Sequence, residues 1–317
     1  MDKETFRMKS IKSVQNLCSQ LLIGFVLICC LLPGKLHAGD LDKIRDHGVL
    51  RHLGIPYANF VRVTEQGADG LDVELMQLFA QHLGVRYELV TTSWSGVFSD
   101  LTGELIATDG DNIKVVGNTP IKGDIIANGL TILPYRQKIV EFSVPTFPTG
   151  VWLVARSDST IKPIRPTGDI VQDIQQVRTL LPGRSVLSMK NTCLDPDLYD
   201  LDRTGAEIRY YTKSQMLDEI APAVLDGMAE TTLLDIPDAL IALQKWPGDI
   251  KVIGPISPYQ QMGVAVTKDA EQLLAEFNRF FEKIWRNGDY HRLVEKYYPS
   301  VFLYLDNFFQ QETGDKS

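Results

Sequence analysis

Apolar residues recur at helix and strand spacing along most of the chain, and their order predicts alternating strands and helices. Residues 71–83 carry apolar side chains at helical spacing, and Gly84 follows them as a C-terminal stop. A short helix over 41–46 and a strand over 49–55 precede this helix, and alternating apolar residues over 85–89 predict a half-buried strand after it. This order predicts a β-α-β unit and hence a parallel sheet.

The same alternation returns after residue 147. The predicted elements are strands over 151–155, 185–189, 231–234 and 263–267, and helices over 170–181, over 214–227, from Pro237 onward and over 270–287. Proline suits the first turn of a helix, so Pro237 indicates a helix start, whereas Pro222 predicts a break within 214–227. Residues 103–123 are rich in glycine and polar side chains, which predicts an inserted loop or a small hairpin.

The first 38 residues have the order of an export signal. Basic residues precede an apolar run over 21–32, and Leu36-His37-Ala38 follows it, which predicts cleavage after Ala38. The run is too short to span a bilayer comfortably as an anchor. The sequence therefore predicts a periplasmic protein. A lipoprotein with Cys29 or Cys30 as the lipid-bearing residue is the less favoured alternative.

Composition excludes several classes of function. The sequence has 317 residues and a formal net charge of −8, and it becomes more acidic without the signal, so nucleic-acid binding is not expected. Three of the four cysteines lie in the signal, which leaves Cys193 without a disulfide partner. The histidines are scattered, and the calcium-loop fragment at 109–112 has Pro120 where a glutamate ligand is required. We therefore predict no metal, no cofactor and no enzyme activity.

Two charged residues, Arg136 and Asp235, lie at positions where their side chains could bind a small charged ligand. Arg136 lies in an apolar, turn-forming segment, where a guanidinium could grip a carboxylate through two parallel hydrogen bonds. The alternative is a solvated arginine or an ion pair with Glu141. Asp235 follows the apolar strand 231–234 and precedes a helix, so it could be a ligand contact or an ordinary helix cap.

The segment 128–147, which reads Asn-Gly-Leu-Thr-Ile-Leu-Pro-Tyr-Arg at its start, resembles the signature of the family 3 bacterial extracellular solute-binding proteins. The likeness runs from about Leu41 to about Pro299. It implies an α/β, two-lobe, type II periplasmic-binding fold, in which each lobe is a mostly parallel sheet flanked by helices. We expect lobe 1 to comprise 39–148 and 262–317, and lobe 2 to comprise 149–261. Two crossings, near 145–150 and 257–263, would join the lobes and allow hinge closure.

The resemblance also implies roles for individual residues. Arg136 falls on the family arginine that clamps the ligand α-carboxylate, with the Thr131 hydroxyl as a further donor. The Gly129 carbonyl and the Asp235 carboxylate would accept hydrogen bonds from the ligand ammonium group. Thr192 belongs to a turn, 190–193, where the family has a Gly-Thr-Thr-like helix start whose backbone N–H groups bind anions.

Several positions near these residues depart from the family pattern or admit two interpretations. In the turn, Asn191 replaces glycine and should tolerate the same left-handed backbone. Cys193 could be a ligand contact, a redox-sensitive thiol or a packed, inert residue, and we favour the last.

Aromatic residues complete the expected site. Tyr57 and Trp94 lie on family positions that form aromatic walls around the ligand side chain, at strand ends where open α/β sheets bind ligands. Phe60 is expected in the core, and Asn59 replaces a common proline. The aromatic tail 302–309 should pack back on the first lobe, with a docking surface as the alternative.

Together these features predict a monomeric periplasmic protein that captures a small zwitterion, an α-amino acid above all, for an ABC permease. One alternative is an orphan receptor that signals to a membrane sensor. Another is a catalyst, because cyclohexadienyl dehydratases resemble this fold and need only a well-placed acid in the cleft. Membrane-bound lytic transglycosylases carry a similar domain ahead of a lysozyme-like one, which we do not expect here.

Overall fold

A computed structural model describes residues 40–109, 112–214 and 216–310. The predicted export signal, its cleavage site, Cys29 and Cys30 lie outside these residues. The same is true of the centre of the calcium-loop fragment, at Gly110 and Asp111. Within the described ranges, every helix is too short or too polar to cross a membrane.

Sixteen strands occur in the described residues. In chain order they are β1 (Val49–Gly54), β2 (Arg62–Thr64), β3 (Gly67–Asp69), β4 (Arg86–Thr91), β5 (Glu104–Asp109), β6 (Asn112–Asn118), β7 (Ile125–Ile126), β8 (Glu141–Phe142), β9 (Phe147–Thr149), β10 (Val151–Arg156), β11 (Ser185–Ser188), β12 (Glu207–Tyr210), β13 (Thr231–Asp235), β14 (Ile250–Pro255), β15 (Gln260–Met262) and β16 (Ala265–Val266).

The helices of these residues cover the faces and ends of the strands. The α-helices are Asp40–His47, Leu71–Leu83, Val97–Thr102, Pro134–Gln137, Ile170–Thr179, Ile220–Leu225, Ile236–Lys245, Glu271–Arg286, Asp289–Tyr297, Val301–Tyr304 and Asp306–Gln310. Three short 3₁₀ helices are Pro196–Tyr199, Leu201–Thr204 and Leu217–Glu219.

Two five-stranded sheets form the framework, in the orders β4-β1-β7-β16-β8 and β12-β11-β13-β10-β14. In the first, β1 pairs in parallel with β4 and β7, while β16 lies antiparallel between β7 and β8. In the second, β11 pairs in parallel with β12 and β13, while β10 lies antiparallel between β13 and β14. One strand in each sheet therefore opposes the other four, which confirms two mostly parallel sheets.

The two antiparallel strands are the ones that follow the crossings between the sheets. β9 leads into β10, and β15 leads toward β16, and β9 and β15 pair antiparallel with Gln260 opposite Thr149 and Met262 opposite Phe147. The chain thus passes between the sheets through two strands that are hydrogen-bonded to each other. Both crossings lie where the sequence predicts them, whereas the exact lobe limits stay a prediction.

Three local predictions have mixed outcomes. The segment 103–123 is a hairpin, because β5 and β6 pair antiparallel from Glu104 opposite Asn118 onward. The helix predicted over 214–227 is wrong in its extent, since it begins at Ile220 after a 3₁₀ turn. Pro222 therefore lies in the first helical turn, where proline is tolerated, and no break occurs there. The strand predicted over 263–267 shortens to β16.

Part of the aromatic tail packs inward as favoured, whereas Leu303 and Tyr304 remain 81% and 53% exposed. Phe309 is 2% exposed and lies 5.9 Å, centroid to centroid, from Trp285 of the helix Glu271–Arg286. It also contacts Phe147 at 6.1 Å. Tyr304 extends the contact to Trp152 on β10, at 5.8 Å, so the tail touches the second sheet as well.

Candidate functional site

Arg136 is a buried arginine on a single turn of helix. Pro134 starts the helix Pro134–Gln137, and the Arg136 side chain is 1% exposed, which rules out the solvated-arginine alternative. Its Nη1 donates to the Thr131 carbonyl at 2.9 Å and its Nε to the Tyr135 hydroxyl at 3.0 Å. The guanidinium carbon lies 5.7 Å from the centroid of the Trp94 ring. These contacts fix the orientation of a positive charge in a dry site.

Asp235 brings a negative charge to the same place from the other sheet. It ends β13 and is 1% exposed. It is the N-cap residue of the helix Ile236–Lys245, but its side chain makes no capping hydrogen bond and is free for other partners. Its Oδ2 accepts hydrogen bonds from the Tyr57 hydroxyl at 3.0 Å and from the Cys193 thiol at 2.9 Å. Because Tyr57 follows β1 and Cys193 follows β11, the carboxylate lies at the meeting point of the two lobes.

The aromatic residues near Arg136 divide as the sequence suggests. Tyr57 and Trp94 are 2% and 6% exposed, and their rings meet edge to face at 5.8 Å. Phe60 is a core residue, 1% exposed, with its ring 5.2 Å from that of Phe147. Asn59 uses a group that proline lacks, because its backbone N–H donates to the Tyr298 hydroxyl at 2.9 Å. This bond anchors the loop that carries Tyr57.

Buried polar atoms without a partner collect around the same residues. Interiors leave few such atoms, so each needs an explanation. Among the described residues they are Trp94 Nε1, Asn128 Nδ2 and Oδ1, Thr131 Oγ1, Asp235 Oδ1 and Gln260 Oε1. Three of these residues are sites predicted from the sequence, and Gln260 lies on β15, one of the two paired strands that join the lobes. The cluster offers donors and acceptors to a small polar molecule.

Gly129 holds a backbone conformation that its neighbours require. Its φ is +64°, and a Cβ there would come within 2.5 Å of the Phe60 ring. Its N–H donates to Asp72 Oδ2 at 2.6 Å. Burial raises the pKa of Asp72 to about 7, while this hydrogen bond acts in the opposite direction. Asp72 therefore positions the segment that leads to Thr131 and Arg136.

The turn at Thr192 keeps its predicted backbone but not its helix. Asn191 has φ +60°, the left-handed conformation expected where glycine is replaced. The predicted helix start is wrong, since the next element is the 3₁₀ helix Pro196–Tyr199, which begins at a proline. The Thr192 hydroxyl donates to the Met189 carbonyl at 2.8 Å and accepts from the Leu194 N–H at 3.1 Å. Its hydroxyl is committed to the turn, so a ligand role for Thr192 stays a prediction based on backbone N–H groups.

Burial sets the protonation of the groups around Asp235. Loss of solvent raises the pKa of Asp235, while the bonds from Cys193 and Tyr57 and the charge of Arg136 lower it. Loss of solvent and the charge of Asp235 raise the pKa of the Cys193 thiol well above its usual value. The thiol is therefore protonated and donates to Asp235, which agrees with a packed thiol of low reactivity.

Sequence reasoning missed Gln260, Tyr199 and Asp72. Gln260 lies on β15, inside a predicted crossing, so a polar residue on a strand that joins the lobes could have been chosen. Tyr199 reaches the site because its hydroxyl donates to the Cys193 carbonyl at 2.5 Å. No spacing in the sequence signals that contact.

The fold is that of type II periplasmic binding proteins, with two mostly parallel sheets joined by paired crossings. The chain belongs to the bacterial extracellular solute-binding proteins, family 3, whose model matches residues 120–300.

Named relatives fall into two groups. L-cystine-binding protein TcyJ of Escherichia coli is 27% identical over 270 residues, which cover 82% of this chain and 86% of that protein. Membrane-bound lytic murein transglycosylase F of Desulfosudis oleivorans is 29% identical over 271 residues, which cover 84% of this chain and 53% of that protein. This chain thus spans about half the length of the transglycosylase.

Solved structures agree with the amino-acid-binding group. A mutant of the arginine-binding protein ArgBP from T. maritima has 25% sequence identity and a TM-score of 0.65, with 82% of this chain and 99% of that chain covered. An ancestral amino acid-binding protein, AncCDT-1, described as a precursor of cyclohexadienyl dehydratase, also has 25% identity and a TM-score of 0.65, with 82% and 100% covered.

Proposed function

We propose that this protein captures a small zwitterion, an α-amino acid, between its two lobes in the periplasm and delivers it to an ABC transporter. The observation that carries the proposal is the buried pair of opposite charges, Arg136 on one lobe and Asp235 on the other, with the unpartnered Asp235 Oδ1. The family membership and the amino-acid-binding relatives support it.

In the proposed complex, each end of the zwitterion meets a complementary group. The ligand carboxylate accepts hydrogen bonds from the Arg136 guanidinium and from the Thr131 hydroxyl, whose oxygen has no other partner. The ammonium group donates to Asp235 Oδ1 and to the Gly129 carbonyl. Because both charges lie out of water, these bonds are stronger than the same bonds at the surface.

Closure of the lobes is part of the proposal. The Tyr57 hydroxyl from one lobe bonds to Asp235 of the other at 3.0 Å. A ligand shifts the equilibrium toward closure only through contacts that it makes in the closed state alone. We assign that role to Asp235, whereas Arg136, Thr131 and the rings of Tyr57 and Trp94 receive the ligand on the first lobe.

Substitution of Arg136 tests the proposal directly. Binding of a mixture of the common L-amino acids is first detected by calorimetry, and the amino acid responsible is then titrated into Arg136→Ala and Arg136→Lys. Loss of a charged hydrogen-bonded partner should weaken binding about 100-fold or more in Arg136→Ala. Arg136→Lys keeps the charge but loses the planar fork, so its affinity for the ligand should lie between those of the native protein and Arg136→Ala.

The matched control is Arg165→Ala, because Arg165 is an exposed arginine of the second lobe. It should bind and melt as the native protein does. Because Arg136 is buried, circular dichroism must show that each Arg136 variant is folded at the temperature of the titration before its affinity is compared. Native affinity in Arg136→Ala would remove the arginine from the site.

A catalytic function is the second candidate. The ancestral relative is described as a precursor of cyclohexadienyl dehydratase, and Asp235 is a buried carboxyl with a raised pKa, as a general acid requires. Incubation of the purified protein with prephenate or arogenate, followed by detection of the aromatic product, tests this candidate. If the native protein forms the product and Asp235→Asn does not, catalysis would replace ligand capture as the proposed function.

The output could also be signalling instead of transport. A membrane-bound lytic murein transglycosylase among the relatives shows that similar domains occur outside amino-acid capture, which favours keeping this alternative. A pull-down from membranes, carried out with and without the identified ligand, separates the two outputs. Recovery of a permease supports delivery, and recovery of a sensor or a murein-cleaving enzyme supports signalling.

A further inference from the structure

A cavity of about 640 Å³ lies beside the strands that join the lobes. Its walls include Pro148 of β9, Gln260 and Gln261 of β15, Leu133 and the tail residue Leu305. Pockets for small molecules have volumes of about 300 to about 1,000 Å³ and occur preferentially between domains. None of the residues predicted to bind the zwitterion is among the described residues that line this cavity, so its walls are distinct from the candidate site.

Uncharged side chains surround the cavity. The described residues that line it include no aspartate, glutamate, lysine, arginine or histidine, although 23% of the sequence is charged. An ion that entered would lose water and would find no opposite charge in the walls, which is costly. The lining therefore favours a neutral molecule.

Prolines and aromatic rings form much of the lining. The residues of these two kinds are Pro134, Pro148, Pro258, Tyr259, Tyr304 and Phe308. Tyr259 and Tyr304 are 66% and 53% exposed, so parts of their rings are open to a molecule that arrives from solvent. Aromatic rings pack well against other rings, either offset or edge to face. These walls suit an aromatic molecule.

Three amides supply hydrogen-bonding groups to the same walls. The side chains of Gln260, Gln261 and Asn307 each carry one carbonyl oxygen and one NH₂ group. Within the part of the chain that the structure describes, Gln260 Oε1 is a buried acceptor without a partner. A ligand with an N–H or O–H group could donate to an amide oxygen of this lining.

The C-terminal residues of the chain do not match the cavity in composition. Residues 311–317 follow the helix Asp306–Gln310 and read Gln-Glu-Thr-Gly-Asp-Lys-Ser. Three of these seven residues are charged, and none has a large apolar side chain. Uncharged walls of proline and aromatic residues offer such a segment no partners for its charges. A separate neutral molecule fits them better.

We propose that this cavity is a second binding site and that its ligand is a neutral aromatic molecule with an N–H or O–H group. The proposal does not depend on capture of an amino acid, because the two sets of residues are distinct. A molecule bound there would contact Pro148 and Gln261, which are opposite each other on the two strands that join the lobes.

Two fluorescent probes with the same aromatic rings test the class of ligand in the native protein. N-Phenylnaphthylamine is neutral and has one N–H group, whereas anilinonaphthalene sulfonate adds a negative charge to the same rings. We expect saturable binding of the neutral probe at one site per molecule, and at least about tenfold weaker binding of the sulfonate. Equal affinity for the two probes would overturn the assignment to neutral ligands, and absence of saturable binding would overturn the site.

Substitutions of exposed residues in the walls assign the probe to the cavity. Gln261→Glu places a charge in the lining and Asn307→Phe fills part of the space, so each should weaken binding of the neutral probe by about tenfold or more. The matched controls are Gln77→Glu and Asn118→Phe, since both residues are exposed and neither lines the cavity. Both controls should bind the probe as the native protein does.

Three results would contradict the proposal. Native affinity in both Gln261→Glu and Asn307→Phe would show that the probe binds elsewhere. Weaker binding of the neutral probe by folded Asp235→Asn would place it in the zwitterion site, whereas native binding there keeps this test separate from that of the proposed function. Sedimentation of the native protein tests a second copy of the chain as the occupant, and a dimer that Gln261→Glu dissociates would make the cavity an interface between copies.

Discussion

Replacement of Asp72 by asparagine should change how stability depends on pH. Asp72 is 4% exposed and lies in the first turn of the helix Leu71–Leu83. Burial raises its pKa from 3.8 to about 7, so the folded protein binds a proton that the unfolded chain releases in this range. Stability therefore falls as the pH rises from 3.8 through about 7.

The magnitude follows from the size of the shift. Each pKa unit corresponds to about 1.4 kcal/mol, and a shift of about three units costs the native protein about 4 kcal/mol of unfolding free energy by about pH 8. Asparagine mimics the protonated acid, because its amide oxygen can accept the Gly129 N–H. The variant should not lose stability in this way. The difference in unfolding free energy between the variant and the native protein should therefore shift in favour of the variant as the pH rises.

Urea unfolding at several values between about pH 4 and about pH 8 measures the effect. The informative quantity is the difference between Asp72→Asn and the native protein, since other titrating groups such as His52 cancel in it. Asp69→Asn is a suitable control, because the hydrogen bond from Arg62 lowers the pKa of exposed Asp69 and the effect should have the opposite sign. Parallel pH curves for Asp72→Asn and the native protein would refute the reasoning.

Two further substitutions test contacts of the site. Tyr57→Phe keeps the ring but removes the hydrogen bond to Asp235 that joins the lobes. Ligand affinity measured by calorimetry should therefore fall up to about tenfold. Unchanged affinity would show that this bond does not favour closure. Gly129→Ala combines a left-handed φ with a Cβ 2.5 Å from the Phe60 ring and should lower the unfolding free energy by more than about 2 kcal/mol. Gly168→Ala is its control, since Gly168 has φ +86° and open space around it, and a loss as large there would deny the role of the Phe60 contact.

The sequence predicts the framework well because each element has its own periodic signal. The helix Leu71–Leu83 and the strands β1, β4, β10 and β13 lie within a residue or two of their predicted positions. The region 211–219 has no such signal, and the helix there begins later, at Ile220. Hydrophobic periodicity predicts which face of a helix or strand is buried, but it gives no information about the short turns that connect these elements.

The candidate site is predictable only in part, for a similar reason. Arg136, Asp235, Tyr57 and Trp94 stand at the ends of recognisable elements, and the structure brings them together. Tyr199 joins the cluster through a loop contact with the Cys193 carbonyl, and Gln260 belongs to a strand that pairs with β9, about a hundred residues earlier in the chain. Such contacts depend on the packing of whole elements, which local sequence does not encode.

The paired strands β9 and β15 have a mechanical consequence. Since Gln260 is opposite Thr149 and Gln261 is opposite Pro148, neither strand can rotate its peptide units without breaking bonds to the other. Bending of the ribbon across both strands is then the softest deformation, and twisting about either strand is stiff. Because Gln260 is itself a member of that ribbon, its position changes whenever the ribbon bends. Any motion of the lobes through this ribbon would therefore displace the two strands together, and the buried Gln260 amide with them.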